Sequence, residues 1–147
     1  MKEMSVDREH KRFEGSQGIT LAADCYGNPK DPPAVLFHGG GQTRHSWSGT
    51  AVRLAEEGWY AVTVDLRGHG ESDWDPSGTY HYESFRNDAI QVARAFDTPP
   101  VLIGASLAGS HLCSLSRMAE MSLLGHSYWL TSPRAWKQPE RVGSWNS

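Results

Sequence analysis

The sequence predicts an α/β protein in which a mostly parallel sheet is flanked by helices. Short runs of consecutive apolar residues alternate along the chain with segments of helical periodicity, and Gly and Pro separate them. Runs that are apolar on successive residues are typical of parallel strands buried on both faces. Alternation of such strands with helices indicates βαβ units, and 147 residues are enough to bury one core.

Five strands are expected from the apolar pattern. The predicted strands are Lys11–Glu14, Ile19–Tyr26, Ala34–Phe37, Trp59–Asp65 and Val101–Gly104. In the second strand apolar and polar residues alternate, as in a half-exposed strand. A short Gly-containing turn joins the first two strands, so we expect them to pair antiparallel at the edge of the sheet.

Two helices are expected between the later strands. The first covers Ser48–Glu57 and ends at Gly58, and the second covers Tyr82–Phe96. Apolar residues recur in the second helix at intervals of three and four, which places them on one face. This face is expected to pack against the sheet.

Composition narrows the classes of partner. A formal net charge of −3 gives no electrostatic footprint for nucleic acid, and no apolar run approaches the ~20 residues that span a bilayer. Cys25 and Cys113 lie far apart and lack the spacing of a zinc site. We therefore expect a cytoplasmic protein with a small-molecule substrate and with no cofactor, metal, nucleic acid or membrane partner.

A strand-to-helix turn around Ser106 carries the strongest chemical signal. Gly104-Ala105-Ser106-Leu107-Ala108 follows the last predicted strand directly and matches the G-x-S-x-G pattern, with Ala in the final small position. The sharp turn needs small residues two positions before and after the serine, because larger side chains would collide. Such a turn lifts the hydroxyl above the sheet edge, so Ser106 is the candidate nucleophile.

A glycine loop after the third predicted strand is the second signal. His38-Gly39-Gly40-Gly41-Gln42 stands where an oxyanion hole draws its donor from a strand-to-helix loop. The other donor is the N–H of the residue after the nucleophile, which is Leu107. Gly40 is the predicted partner of Leu107, and Gly41 is the alternative.

A third loop follows the strand that ends at Asp65. The segment 65–72 reads D-L-R-G-H-G-E-S, and its two glycines fit tight turns. We interpret this loop as structural. Asp65 and Arg67 are expected to tie it together by hydrogen bonds.

These three blocks, in this order, resemble the α/β-hydrolase superfamily. With a serine at this strand-to-helix turn, the chain is similar to the esterase-like and haloperoxidase-like branches of the superfamily. The resemblance covers about residues 13–109 and implies an eight-stranded, mostly parallel sheet with a Ser–acid–His triad. The chain is then expected to carry a truncated sheet, with the first five strands only. The resemblance also implies Ser106 as nucleophile, with Gly40 and Leu107 as oxyanion donors.

The residues after Gly109 do not continue this pattern. We expect residues 1–109 to form the N-terminal half of a hydrolase domain and 110–147 to be an atypical tail. A shifted reading frame of the tail can spell an apolar helix and a buried strand, which suggests a frameshift. The acids after Ser106 are Glu120 and Glu140, and the histidines are His111 and His126. None has the required placement, so the triad acid and histidine are predicted to be absent.

The sequence favours two functions over a split enzyme, in which a second polypeptide would supply the later strands, the acid and the histidine. The first is a serine hydrolase for a small ester, lactone or related carbonyl compound, inactive in this form because its triad is incomplete. The alternative is a non-catalytic pseudoenzyme that acts as a binding or interaction module. An exposed edge at Val101–Gly104 would favour self-association in either case.

Overall fold

A computed structural model describes residues 6–78 and 80–105. Of the predicted site, Gly40 lies within this part of the chain, whereas Ser106 and Leu107 lie outside it. The predicted tail, 110–147, with its acids and histidines, also lies outside the described residues.

Five strands form one mixed sheet. They are β1 (Arg8–Glu14), β2 (Thr20–Tyr26), β3 (Pro33–Phe37), β4 (Tyr60–Val64) and β5 (Val101–Gly104), in the order β1-β2-β4-β3-β5. β1 pairs antiparallel with β2, and β2 pairs antiparallel with β4. β3 pairs parallel with both β4 and β5. The fold class and the antiparallel first pair are confirmed, and the parallel part of the described sheet is β4-β3-β5.

Two helices connect the parallel strands. α1 (Ser48–Glu56) lies between β3 and β4, and α2 (Tyr82–Arg94) lies between β4 and β5. Short 3₁₀ turns at Ser16–Gly18 and Arg44–Trp47 precede β2 and α1. Both helices occur where the sequence predicts them, with ends shifted by one or two residues.

The sheet face that packs against α2 holds the larger apolar core. Alternate residues of β2, β4 and β3 point to this face and meet one side of the helix. The buried cluster comprises Ile19, Leu21, Ala23, Cys25, Val35, Phe37, Tyr60, Val62, Val64, Leu66, Phe85, Ala89, Val92, Ala93 and Leu102. The helical periodicity of residues 82–96 therefore predicts the packed side of α2 correctly.

The opposite face packs against α1 and is more polar. Its buried apolar cluster consists of Tyr26, Leu36, Ala51 and Ala61. Asp24 alternates with Tyr26 along β2, and Thr63 alternates with Ala61 along β4, so both belong to this face. Both are buried, and the Thr63 hydroxyl donates to the Asp24 carbonyl oxygen at 3.5 Å.

The helices of the described ranges are too short or too polar to cross a membrane. β5 is the last strand in the sheet order of this part of the chain. Self-association through β5 stays a prediction.

Candidate active site

The carboxyl ends of the parallel strands β3, β4 and β5 lie at the same edge of the sheet. β3 lies between β4 and β5, and Phe37 stands opposite Gly104 in the register. One residue further on, the Ala105 N–H donates to the Phe37 carbonyl oxygen at 3.2 Å. The residue before Ser106 is therefore held beside the start of the glycine loop, at the kind of edge where α/β proteins bind ligands.

In the glycine loop after β3, two of the three consecutive glycine N–H groups donate hydrogen bonds to side chains. The Gly39 N–H donates to Gln42 Oε1 at 3.0 Å, and the Gly41 N–H donates to His69 Nε2 at 3.3 Å. The Gln42 N–H closes the turn onto the Gly39 carbonyl oxygen at 3.2 Å. Gly40 is exposed, and its N–H makes no hydrogen bond with any residue in ranges 6–78 and 80–105.

His38 links the loop after β3 to the loop after β4. Its side chain is fully buried, with Nδ1 2.7 Å from the Gly39 carbonyl oxygen and Nε2 accepting the Leu66 N–H at 3.0 Å. Burial lowers the pKa of His38, which favours the neutral ring. Its hydrogen bonds to backbone groups on both sides indicate a structural role.

Asp65 bonds within the loop after β4, as the sequence predicts, and also to Arg44, which precedes α1. The buried Asp65 carboxylate accepts from the Arg44 N–H at 2.6 Å and from Arg44 Nη1 at 2.5 Å. It also accepts the Glu71 N–H at 3.0 Å. Burial alone would raise the pKa of Asp65, but hydrogen bonds from Arg44 and Glu71 outweigh it and lower the pKa.

Gly70 makes room for this carboxylate. A Cβ at position 70 would overlap the Asp65 carboxylate, and the φ of +51° favours glycine as well. The second glycine of the loop is therefore needed for close approach.

Arg67 joins the loop after β4 to α2. The Arg67 side chain is fully buried, and its Nε and Nη2 each lie 2.7 Å from one oxygen of Asp88. Nη1 donates to Asp75 at 3.0 Å, and Nη2 also donates to the Ser16 hydroxyl at 2.8 Å. Side-chain hydrogen bonds to Asp88 raise the pKa of Arg67, so the buried charge is balanced.

Arg44 forms a second buried ion cluster, next to the glycine loop. Its Nε lies 3.1 Å from Asp24 Oδ2, and its Nη2 donates to Glu71 at 3.0 Å. Burial lowers the pKa of Arg44, but hydrogen bonds to Glu71 and Asp65 reverse this effect and raise it. Arg44 thereby ties the segment after the glycine loop to β2 and to the loop after β4.

Ser72 fixes the end of the same loop. Its hydroxyl donates to the Asp65 carbonyl oxygen at 2.6 Å and accepts the Ala22 N–H at 2.9 Å. Ser72 thus attaches the end of the loop after β4 to β2.

Sequence reasoning found the glycine loop but missed three supporting residues. Arg44, Asp24 and Asp88 carry no motif, and their partners lie 20 or more residues away along the chain. Asp24, inside a predicted strand with apolar residues on both sides, is the one anomaly that could have drawn attention. The roles of Ser106, Gly40 and Leu107 stay predictions.

A family model for the alpha/beta hydrolase family matches residues 34–144, which is most of the chain. The chain belongs to the alpha/beta hydrolase family. The match begins at β3 and runs past Gly109, where the sequence predicts a domain boundary. That boundary stays a prediction.

Several curated hydrolases are similar to this family member. It is 35% identical to esterase Rv0045c of Mycobacterium tuberculosis over 89 residues, which are 60% of this chain and 29% of the relative. It is 30% identical to AB hydrolase superfamily protein YfhM of Bacillus subtilis, covering 70% and 38%. Mouse protein phosphatase methylesterase 1 is 37% identical, covering 54% and 22%. The chain thus aligns with less than two fifths of each of these relatives.

Solved structures support the hydrolase fold. Epoxide hydrolase VrEH1 from Vigna radiata aligns with a TM-score of 0.73 at 18% identity, covering 88% of this chain and 41% of its own. A hydrolase from Pseudomonas aeruginosa PA01 aligns with a TM-score of 0.68 at 26% identity, covering 76% and 42%. The first likeness, at this identity, concerns the fold alone.

Proposed function

We propose that the protein is a serine hydrolase whose Ser106 attacks a small ester, lactone or related carbonyl compound, and that the 147-residue chain is inactive by itself because its triad acid and histidine are absent. The observation that carries the proposal is the register between β3 and β5. The Ala105 N–H donates to the Phe37 carbonyl oxygen, so the residue before Ser106 lies beside the start of the loop that holds Gly40. Two relatives are named as an esterase and a methylesterase, which favours carbonyl chemistry over other hydrolase reactions.

The proposed reaction has two steps. Ser106 Oγ attacks the carbonyl carbon, and the N–H groups of Gly40 and Leu107 stabilise the oxyanion. The alcohol leaves with a proton, and water then releases the acid from the acyl-serine. A general base and its orienting acid are required, and Glu120, Glu140, His111 and His126 do not have the spacing for these roles.

Ester hydrolysis tests the nucleophile. We expect turnover of a short-chain nitrophenyl ester by the 147-residue chain to be close to the background rate, because a triad acts as a unit. Ser106→Ala is the test variant, and Ser77→Ala is the matched control on an exposed loop. Turnover that disappears in Ser106→Ala but not in Ser77→Ala would establish the nucleophile and contradict the expected inactivity.

The coding DNA tests the origin of the tail. Sequencing should start at the Gly109 codon and extend several hundred bases downstream. We expect the shifted frame to stay open and to encode further strands with an Asp and a His. The restored chain should then hydrolyse the ester, and Ser106→Ala should abolish that activity. A shifted frame that closes at once would make 110–147 a genuine tail and would favour the non-catalytic binding module.

A further inference from the structure

Two histidines cross-link the same two loops in opposite directions. His38, in the loop after β3, accepts an N–H from Leu66, in the loop after β4. His69, in the loop after β4, accepts an N–H from Gly41, in the loop after β3. The two rings lie 5.0 Å apart between their centroids and are tilted by 57°.

The backbone fixes the tautomer of both rings. His69 Nδ1 lies 3.0 Å from the Arg67 carbonyl oxygen, and a carbonyl oxygen only accepts. Nδ1 therefore carries the proton, which leaves the Nε2 lone pair for the Gly41 N–H. His38 has the same arrangement, with Nδ1 facing the Gly39 carbonyl oxygen.

This arrangement distinguishes among the three glycine amides of the loop. Gln42 takes the Gly39 N–H, and His69 takes the Gly41 N–H. The φ of Gly41 is +73°, in the left-handed region that favours glycine. This rotation about the N–Cα bond sets the orientation of the Gly40–Gly41 peptide and therefore the direction of the Gly41 N–H. Gly40 is exposed, and no residue of the described ranges accepts its N–H.

We propose that His69 is a positioning residue that occupies the Gly41 N–H and thereby leaves Gly40 as the oxyanion donor of the loop. The inference rests on the proposed function for its chemical meaning. In this role His69 acts through the Gly41 peptide, to which its Nε2 is bonded. The sequence leaves Gly40 and Gly41 as alternatives, and His69 decides between them.

Amide hydrogen exchange of the ¹⁵N-labelled full chain tests the assignment. We expect the Gly39 and Gly41 amides to be protected and the Gly40 amide to exchange nearly as fast as an unprotected one. His69→Asn keeps a donor near the Nδ1 position but lacks an acceptor at the Nε2 position. It should speed exchange at Gly41 by about five- to tenfold, the equivalent of one hydrogen bond, and leave Gly39 unchanged.

A conservative variant separates positioning from general loosening. His69→Gln places an amide oxygen near the Nε2 position, so it should restore most of the Gly41 protection. The ring ¹⁵N shifts of the unmodified protein should show the Nδ1–H tautomer at His69. Amides of β3 and β4 report whether each variant stays folded.

Three results would overturn the proposal. The first is an amide exchange rate at Gly41 that is the same in the unmodified protein and in His69→Asn. The second is equal protection of the Gly40 and Gly41 amides in the unmodified protein. The third is an Nε2–H tautomer of His69. None of these measurements requires Ser106 to react. Protection at Gly41, together with no Ser106-dependent hydrolysis by the frame-restored chain, would therefore keep the role of His69 in the loop and reject the nucleophile.

Discussion

The two faces of the sheet are stabilised by different interactions. The face against α2 buries fifteen residues in one apolar cluster, whereas the face against α1 buries four. On the α1 face Asp24 and Arg44 are also buried, with Arg44 Nε 3.1 Å from Asp24 Oδ2. The loops of the candidate site are therefore held by hydrogen bonds and charge, which fix direction better than apolar contact does.

The two buried arginines differ in how far their partners are exposed to solvent. Arg67 and its partners Asp88 and Asp75 are all nearly inaccessible, with side-chain exposures of 0%, 3% and 8%. Arg44 reaches the surface through Glu71, whose side chain is 57% exposed. The α2 side thus has a closed ion cluster, and the site side has one that opens to solvent.

Asp88→Asn should have the largest effect on stability. It leaves the buried Arg67 charge without its bidentate partner, and the free energy of unfolding should fall by about 3–5 kcal/mol. Urea unfolding measures the change. Asp97→Asn is the matched control, because Asp97 is exposed and should change stability by less than about 0.5 kcal/mol. Equal effects of the two substitutions would contradict a closed, buried Arg67 cluster.

Leucine truncation compares the two apolar clusters directly. Leu21 belongs to the α2 face and Leu36 to the α1 face, and both are buried. Leu21→Ala should cost near the top of the usual range of about 2–5 kcal/mol, and Leu36→Ala near the bottom. Partly buried side chains around Leu36, such as Trp47 and Val52, can move into the space. A larger loss at Leu36 would contradict this ranking.

Acid should weaken the site loops in two stages. His38 has a pKa below its ordinary value of 6.5, so the unfolded chain binds its proton first. Stability is therefore present above pH 6.5 and falls as the pH drops towards the folded pKa. Asp65, with a pKa below 3.8, adds a second loss in stronger acid. The measurement is the unfolding free energy as a function of pH. In His38→Gln the first loss of stability, which begins below pH 6.5, should be absent.

Glu71→Gln should have the smallest effect. The Glu71 side chain is mostly exposed, so its contact with Arg44 should be worth about 0–1 kcal/mol and should weaken with added salt. Thermal unfolding at low and high ionic strength measures both effects. A loss as large as that in Asp88→Asn would show that the Arg44 cluster is as closed as the Arg67 cluster.

Local patterns predicted most of the described fold. The apolar runs 34–37 and 101–104 became β3 and β5 with at most one residue of difference, and the periodicity of 82–96 located α2. These elements are determined by neighbours three or four positions away, or by simple burial. The order of strands within the sheet did not follow from such patterns, because pairing joins distant segments.

In the candidate site, too, the sequence predicted local features but not contacts between distant residues. The glycine loop was predictable, because glycine shows directly where backbone must turn tightly or approach closely. The charge partners were not, and Asp65 with Arg67 is the clearest case. Two positions apart in the chain, they bond to Arg44 and Asp88, each 21 residues away.

The sequence by itself determined the secondary structure, the family and the loops that carry the candidate chemistry. The tertiary structure decided which side chains and amides meet at the sheet edge. It paired Asp65 with Arg44 and Arg67 with Asp88, and it gave the Gly41 N–H to His69. The reason is that hydrogen bonds and ion pairs depend on distance and direction in space. Only the packed strands and helices set these for residues far apart in the chain.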